Sequence, residues 1–364
     1  MKNWNLRFGR VFGIPIEIHW TFWAFLFYIF LADLLKTGET RLAVQAVLTV
    51  LAIFCCVVLH EFGHALMALR FGVKTRDITL YLFGGVARLE RIPERPREEL
   101  LVAIAGPMVN VVIIMALLII GVRMPASVEE PATLVKMDLL PQLLLVNGML
   151  VAFNLLPAFP MDGGRIFRAI LAMFMDYAHA TRIAASLGQF MAILFGIAGL
   201  SGNPFLVFIA LFVWLGASAE ATSVEQKVLL GNSVASEAML QDYLTVRDDE
   251  TLDVVVKKLL DGSQTEFPVH HSLTGKPVGL LTKIHLLAAL AQNGPTSQVK
   301  SCQLQALQQV SARRGLVSVL QEMRENGLTA VEVTDETGRV TGLLTSENLS
   351  EFLLVRSALK AHQG

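Results

Sequence analysis

Over the first 220 residues the chain repeats one pattern, a long apolar stretch followed by a short polar connection. The stretches lie near 20–35, 42–69, 100–122, 141–156 continuing through 166–175, 182–200 and 203–218. Each is long enough to cross, or nearly cross, a hydrocarbon layer ~30 Å thick. They predict about six membrane spans, the fourth interrupted by Pro157, Pro160, Gly163 and Gly164. From about residue 235 the pattern becomes that of a soluble α/β domain, with amphipathic helical periods and short apolar strands.

Two pieces of the membrane half alternate with period two instead. Ile14, Ile16 and Ile18 alternate with Pro15, Glu17 and His19, and Ile78, Leu80 and Leu82 alternate up to Phe83-Gly84-Gly85-Val86. Alternation ending in Gly-Gly predicts strands and a hairpin turning at the glycines. Such a hairpin is either a plain cytoplasmic element or an edge that receives an extended substrate strand.

Composition agrees with a membrane half. The 364 residues are 54% hydrophobic and 17% charged, with a mean hydropathy of +0.55. A net charge of −1, with no basic domain, argues against nucleic acid as a partner. Cys55, Cys56 and Cys302 make no C-x-x-C and no disulfide framework, and read as small buried side chains. Lys2, Arg7 and Arg10 precede the first apolar stretch with no small-residue cleavage site after it, which reads as a retained anchor. Basic residues crowd the 70–99 connection, from Arg70 and Lys74 to Arg95 and Arg97, and are sparse in the connections on either side. The positive-inside rule then places both termini and the 70–99 loop in the cytoplasm. The expected architecture is a membrane all-α bundle of about six transmembrane helices with a small β-hairpin or sheet element, plus a cytoplasmic α/β domain. Its boundaries are 1–222 for the membrane domain, 223–234 for a linker and 235–364 for the tail.

The chemistry is concentrated where it is most expensive. Leu59-His60-Glu61-Phe62-Gly63-His64-Ala65-Leu66 lies inside the second apolar stretch, and a charge at the bilayer centre costs about 2.5–3.5 kcal/mol even on the lenient insertion scale. In a helix, positions i and i+4 share a face. His60 and His64 can therefore aim two imidazoles at one metal ion, with Glu61 beside them to handle a proton. This is the H-E-x-x-H arrangement of zinc hydrolases.

A catalytic zinc wants three protein ligands and one open position. Ala65 to Leu69 offers nothing. Among the acidic residues between Leu100 and Ala219, Glu129, Glu130 and Asp138 belong to a loop and Asp176 ends a span. Asp162 sits in a membrane segment, in Asn154-Leu155-Leu156-Pro157-Ala158-Phe159-Pro160-Met161-Asp162-Gly163-Gly164. The prolines and glycines break the helix there, so a short carboxylate can reach across to the imidazoles. Taken alone, Asp162 has a second reading as a helix cap after a proline turn. Asn154, one turn before the break, either donates to a carbonyl oxygen or oxyanion or makes an interhelical hydrogen bond. Asn110 reads as packing, and His19 as a buried histidine satisfied by its neighbours.

These motifs resemble the site-2 protease family of intramembrane zinc metalloproteases. The resemblance rests on His60-Glu61-x-x-His64 paired with Asn154-x-x-Pro157-x-x-Pro160-x-Asp162-Gly163-Gly164, and on Phe83-Gly84-Gly85 and Gly106-Pro107-x-x-Asn110 between them. It covers roughly residues 8–220. It implies one zinc ion held by His60, His64 and Asp162, Glu61 as general base, and Asn154, Gly84 and Gly85 as substrate-binding positions. The implied activity is that of a metalloendopeptidase cutting in or near a partner's transmembrane segment. Membrane-tethered anti-sigma factors or precursors in a prokaryotic plasma membrane are substrates of the expected kind.

The tail resembles a tandem pair of cystathionine β-synthase (CBS) domains, about 235–295 and 296–364. Val278-Gly279-Leu280-Leu281-Thr282 recurs as Thr341-Gly342-Leu343-Leu344-Thr345. Each copy follows an amphipathic helix, Leu252–Leu260 or Leu316–Glu325, and a short strand, and each precedes another helix. The CBS resemblance implies an adenine nucleotide bound by a G-x-x-T-x-x-D pattern. Here His285 and Asn348 stand at the Asp positions, and neither offers a carboxylate to ribose. Dimerisation through the tail, or gating of the membrane domain, is the other reading. Two rival functions share part of the pattern: a CBS-regulated transporter or channel, which lacks a repeated set of polar spans here, and a catalytically inactive binding scaffold.

Overall fold

The computed structural model describes residues 5–82, 84–90, 95–123 and 138–361. The chain forms two compact units, Met1–Val224 and Glu225–Gly364.

The first unit opens with two strands, β1 (Asn5–Val11) and β2 (Ile14–His19). His19 then caps α1 (Trp20–Thr37), its ring nitrogen accepting from the Thr21 amide. The half-buried ring thus satisfies itself locally, and it takes no part in the metal-ligand cluster described below. Gly38, at φ 72°, ends α1 in the left-handed conformation that favours glycine. The chain returns as α2 (Thr40–Arg70), 31 residues long. It then lays down β3 (Thr75–Tyr81) parallel to β2, and β4 (Gly84–Leu89) antiparallel to β3. The sheet order is β1-β2-β3-β4, which leaves β4 as an edge.

The hairpin differs from expectation at its turn. Tyr81 pairs with Gly84 and Leu80 with Gly85. The glycines therefore open the second strand, and the connection is Leu82-Phe83, of which Phe83 lies outside the described residues. β1 pairs along β2 beyond the expected strands, and Asn5-Leu6-Arg7-Phe8-Gly9-Arg10-Val11 carries an irregularity between Arg7 and Gly9 that interrupts its register.

The sheet packs on α2. Phe62 and Ala65, from the face of α2 next to the histidines, bury against Ile14 of β2 and Ile78 of β3. Against α2 also lies α3 (Pro96–Ile119), with proline at its first position and Glu98 and Glu99 in its first turn, where acids complement the helix dipole. Then follow α4 (Leu139–Asn154), α5 (Asp162–Leu171), α6 (Tyr177–Leu200) and α7 (Pro204–Leu230). Five of the described helices, α1, α2, α3, α6 and α7, are long and apolar enough to cross a membrane, and α4 is a shorter apolar helix of 16 residues. The fourth apolar stretch is thus divided between α4 and the 10-residue α5. The stretch expected as a linker from residue 223 begins as helix instead, because α7 continues to Leu230.

The second unit is a repeat. After the short α8 (Ala235–Ala238), the first copy runs β5 (Val246–Arg247), α9 (Leu252–Asp261), β6 (Glu266–His270), β7 (Pro277–Thr282), α10 (Lys283–Asn293). The second runs β8 (Gln308–Ser311), α11 (Leu316–Asn326), β9 (Ala330–Thr334), β10 (Val340–Thr345), α12 (Ser346–Ala361). In each, the first strand pairs parallel and the last antiparallel with the middle one. Leu280 of β7 and Leu343 of β10, equivalent in the two copies, bury together with Ala330. Neither copy could cover that surface alone.

Candidate metal centre

Helical periodicity places His60 and His64 on the same side of α2, and both are buried among apolar neighbours. Their Nε2 atoms lie 3.1 Å apart. Asp162, the first residue of α5, brings Oδ2 to 3.2 Å from His60 Nε2 and 3.1 Å from His64 Nε2. It can stand there because α5 starts directly on the turn before it. A Cβ on Gly163 would lie 2.2 Å from the Leu156 carbonyl oxygen, so a larger residue would hold the helix away. The turn itself passes through a cis Phe159–Pro160 bond.

The far side of each imidazole decides what Nε2 can do. His64 Nδ1 lies 2.7 Å from the Val102 carbonyl oxygen, which can only accept, so Nδ1 carries the hydrogen. His60 Nδ1 lies 2.5 Å from Asn110 Oδ1. That amide is oriented by a chain: Asn147 Nδ2 donates to the Leu143 carbonyl at 2.8 Å, and Asn110 Nδ2 donates to Asn147 Oδ1 at 2.7 Å. Asn110 therefore presents oxygen to His60, whose Nδ1 is also the protonated one. Both Nε2 atoms are bare and point at each other and at a carboxylate oxygen.

Three lone-pair donors about 3 Å apart repel unless a cation lies among them. Tetrahedral zinc with bonds of about 2.0–2.1 Å separates its ligand atoms by roughly 3.3–3.4 Å, close to the triangle seen here. Both imidazoles and the carboxylate also have the donor chemistry that zinc takes. The residues fit the ion.

Glu61 lies beside this triangle, and its Oε2 accepts from the Ala87 amide of β4 at 3.2 Å. One cavity of about 450 Å³ is lined by His60, Glu61, His64, Gly84, Gly85, Val86, Ala87, Asn154, Asp162 and Arg165, among others. His60, Glu61, His64, Asp162, Asn154, Gly84 and Gly85 thus border one space. Asn110 is a correction: it is not packing but the partner of a histidine. Asn147 is an addition to the expected set, and its signal is an amide in the middle of the apolar run of α4, between Gln142 and Asn154. The Val102 carbonyl left no trace in the sequence.

Residues 48–136 and 125–197 match Peptidase family M50, and residues 234–292 match the CBS domain. A zinc metalloprotease of Methanocaldococcus jannaschii is 37% identical over 280 residues, covering 77% of this chain and 78% of that one.

The chain belongs to peptidase family M50.

Stage IV sporulation protein FB of Bacillus subtilis is a more distant relative, 27% identical over 170 residues, 46% of this chain and 56% of that one. The solved structure of a site-2 protease from M. jannaschii is 40% identical, covers 60% of this chain and 95% of that one, and gives a TM-score of 0.43. This M50 chain is a multi-pass membrane zinc metalloprotease of the site-2 type carrying a C-terminal CBS domain.

Proposed function

We propose that the enzyme hydrolyses a peptide bond in or near the transmembrane segment of another membrane protein, with His60, His64 and Asp162 holding zinc and Glu61 as general base. The observation that carries this reading is the meeting of three bare donor atoms beside Glu61, in a cavity bordered by the edge strand β4. Bound there, zinc supplies the Lewis acidity that polarises a peptide carbonyl and makes water a usable nucleophile at neutral pH. Glu61 takes the proton from water and returns it to the leaving amine. Asn154, at the end of α4, offers an amide to the carbonyl oxygen of the scissile bond.

A transmembrane substrate arrives as a helix whose carbonyls are already bonded. It must unwind, and β4 provides a place for the unwound segment. Among the described residues β4 has a hydrogen-bonded neighbour strand on one side only, and Gly84 and Gly85 border the cavity, Gly85 lying close against Glu61 and Val57. Strand pairing there replaces the hydrogen bonds the substrate helix gives up.

The orientation proposed is the one the basic connections imply, with six spans including α4, and with both termini and the tail on the cytoplasmic side of a prokaryotic plasma membrane. Anti-sigma factors and membrane-tethered precursors are substrates of the right kind. The tail is proposed to be a tandem CBS pair, 235–295 and 296–364, that gates the membrane domain and offers a surface for dimerisation. Nucleotide sensing is not supported. A cleft in the tail is lined by Asp242, Glu266, Glu347 and Glu351 with no lysine or arginine among its described lining residues, which is hostile to phosphate. Thr345 and Asn348 bond each other at 2.5 Å, and Thr345 accepts from the Asn348 amide as the first turn of α12 begins.

The test is Glu61→Gln in the full chain. The variant should retain stoichiometric zinc, lose about 10²–10⁴-fold in cleavage rate of a model transmembrane substrate, and co-purify with uncut substrate. Wild-type cleavage by Glu61→Gln would overturn the assigned base.

A further inference from the structure

The short helix that delivers Asp162 carries a second buried polar group less than two turns on. Arg168 is wholly buried, and its guanidinium lies over the rings of Phe159 and Tyr177, 4.9 Å from each centroid. Nε donates to Glu99 Oε1 at 2.9 Å and Nη2 donates to the same oxygen. Nη1 donates to Glu220 Oε1 at 2.5 Å. One side chain thus ties α5 to α3 through Glu99, to α7 through Glu220, and to the turn before Asp162 through Phe159.

The helix on the other end of the Glu99 contact is what gives this meaning. α3 also supplies the Val102 carbonyl and Asn110, the two groups that orient the imidazoles. The bond from Arg168 to Glu99 therefore holds the carboxylate ligand's helix against the helix that orients the two nitrogen ligands. Stability alone does not call for an arginine here, since buried ion pairs are often matched or bettered by apolar side chains of the same size. Directional hydrogen bonds from a planar fork in contact with two rings fix geometry in a way that apolar packing or a lysine does not.

We propose that Arg168 is a positioning residue of the metal centre, setting the register of α5 against α3 so that Asp162 stands within ligand distance of His60 and His64. The proposal rests on Asp162 being a zinc ligand.

The experiment measures zinc dissociation constants by chelator competition, and absorption of the cobalt-substituted protein, on the full chain in detergent. The variants are Arg168→Lys, Glu99→Gln, Asp162→Ala, Asp162→Ala/Arg168→Lys and Asp162→Ala/Glu99→Gln, with helicity checked by circular dichroism. Arg168→Lys should weaken zinc by about 10–100-fold, as loss of a ligand-orienting contact does, and should alter the cobalt bands. In the Asp162→Ala background the same change should weaken zinc no further, because the ligand it acts through is gone. Zinc affinity unchanged in a folded Arg168→Lys protein, or a loss that adds in full to that of Asp162→Ala, would overturn the proposal. Should Arg168→Lys fail to fold, Glu99→Gln, which weakens the bond between α5 and α3 itself, carries the test: a loss of zinc affinity that disappears in the Asp162→Ala background supports the proposal, and unchanged zinc affinity overturns it. Wild-type zinc affinity in Asp162→Ala would instead withdraw the ligand assignment itself, a result separable from failure of the arginine's role.

Discussion

His60 Nε2 and His64 Nε2 face each other at 3.1 Å, each without a hydrogen because the opposite ring nitrogen donates elsewhere. Two bare nitrogens and a carboxylate oxygen held this close form an unstable group without a cation. Chelated protein should therefore unfold at a lower temperature than zinc-loaded protein, and added zinc should restore it. With free zinc at 100 times the dissociation constant, the gain is about 2.7 kcal/mol. Thermal unfolding followed against free zinc checks this, and Asp162→Asn and His64→Ala should blunt the response.

Asn110 and Asn147 should behave as parts of the metal centre although neither touches the ion. Asn110→Leu leaves His60 Nδ1 without its acceptor and is expected to weaken zinc by about 10–100-fold. Asn147→Leu removes the group that orients the Asn110 amide, so its effect should be in the same direction and smaller. Chelator competition separates the two. Equal affinity in wild type and Asn110→Leu would show that the tautomer is set by something else.

Gly106 lies where α3 passes over the His64 ring. A Cβ there would sit 2.1 Å from His64 Nε2, closer than any real contact, so the ring must move off its position. Gly106→Ala is expected to fold with near-wild-type helicity, lose stoichiometric zinc and lose cleavage. Metal analysis of the purified variant decides it.

In the tail, Glu332 is fully buried, accepting from His270 Nε2 at 3.0 Å and from Gln309 Nε2 at 2.9 Å. Burial pushes its acid up, but these hydrogen bonds more than offset that and hold it below the usual carboxylate range. A carboxyl whose folded pKa is depressed stabilises at pH above its unfolded value, ~4.3, and loses that stabilisation as pH falls through the folded value. Glu332→Gln should therefore destabilise the tail at pH 7 by about 1–3 kcal/mol. The difference from wild type should shrink as pH drops below ~4. Denaturation of the full chain across pH, read by a probe in the tail, tests the sign.

Much of this protein is local, and what is local was legible in the chain. His60 and His64 share a face because i and i+4 always do in a helix. Asp162 stood out because carboxylates are rare in apolar segments. The doubled Gly-x-x-Thr strand of the tail marks a repeat in the sequence itself. What the sequence could not settle are choices among chemically similar groups made by helix packing. Asn110, Asn147 and Asn154 are all amides in apolar segments, yet Asn110 alone meets an imidazole, across a separation of 50 residues. Arg168 and Glu99 are 69 residues apart, and Gly84 and Gly85 became strand because of the register with β3, not because of their own preference for turns. Periodicity and polarity say which face of an element is reactive. Which side chain of another element meets that face depends on the rotation and depth of each helix, decided when the packed bundle buries its surfaces together.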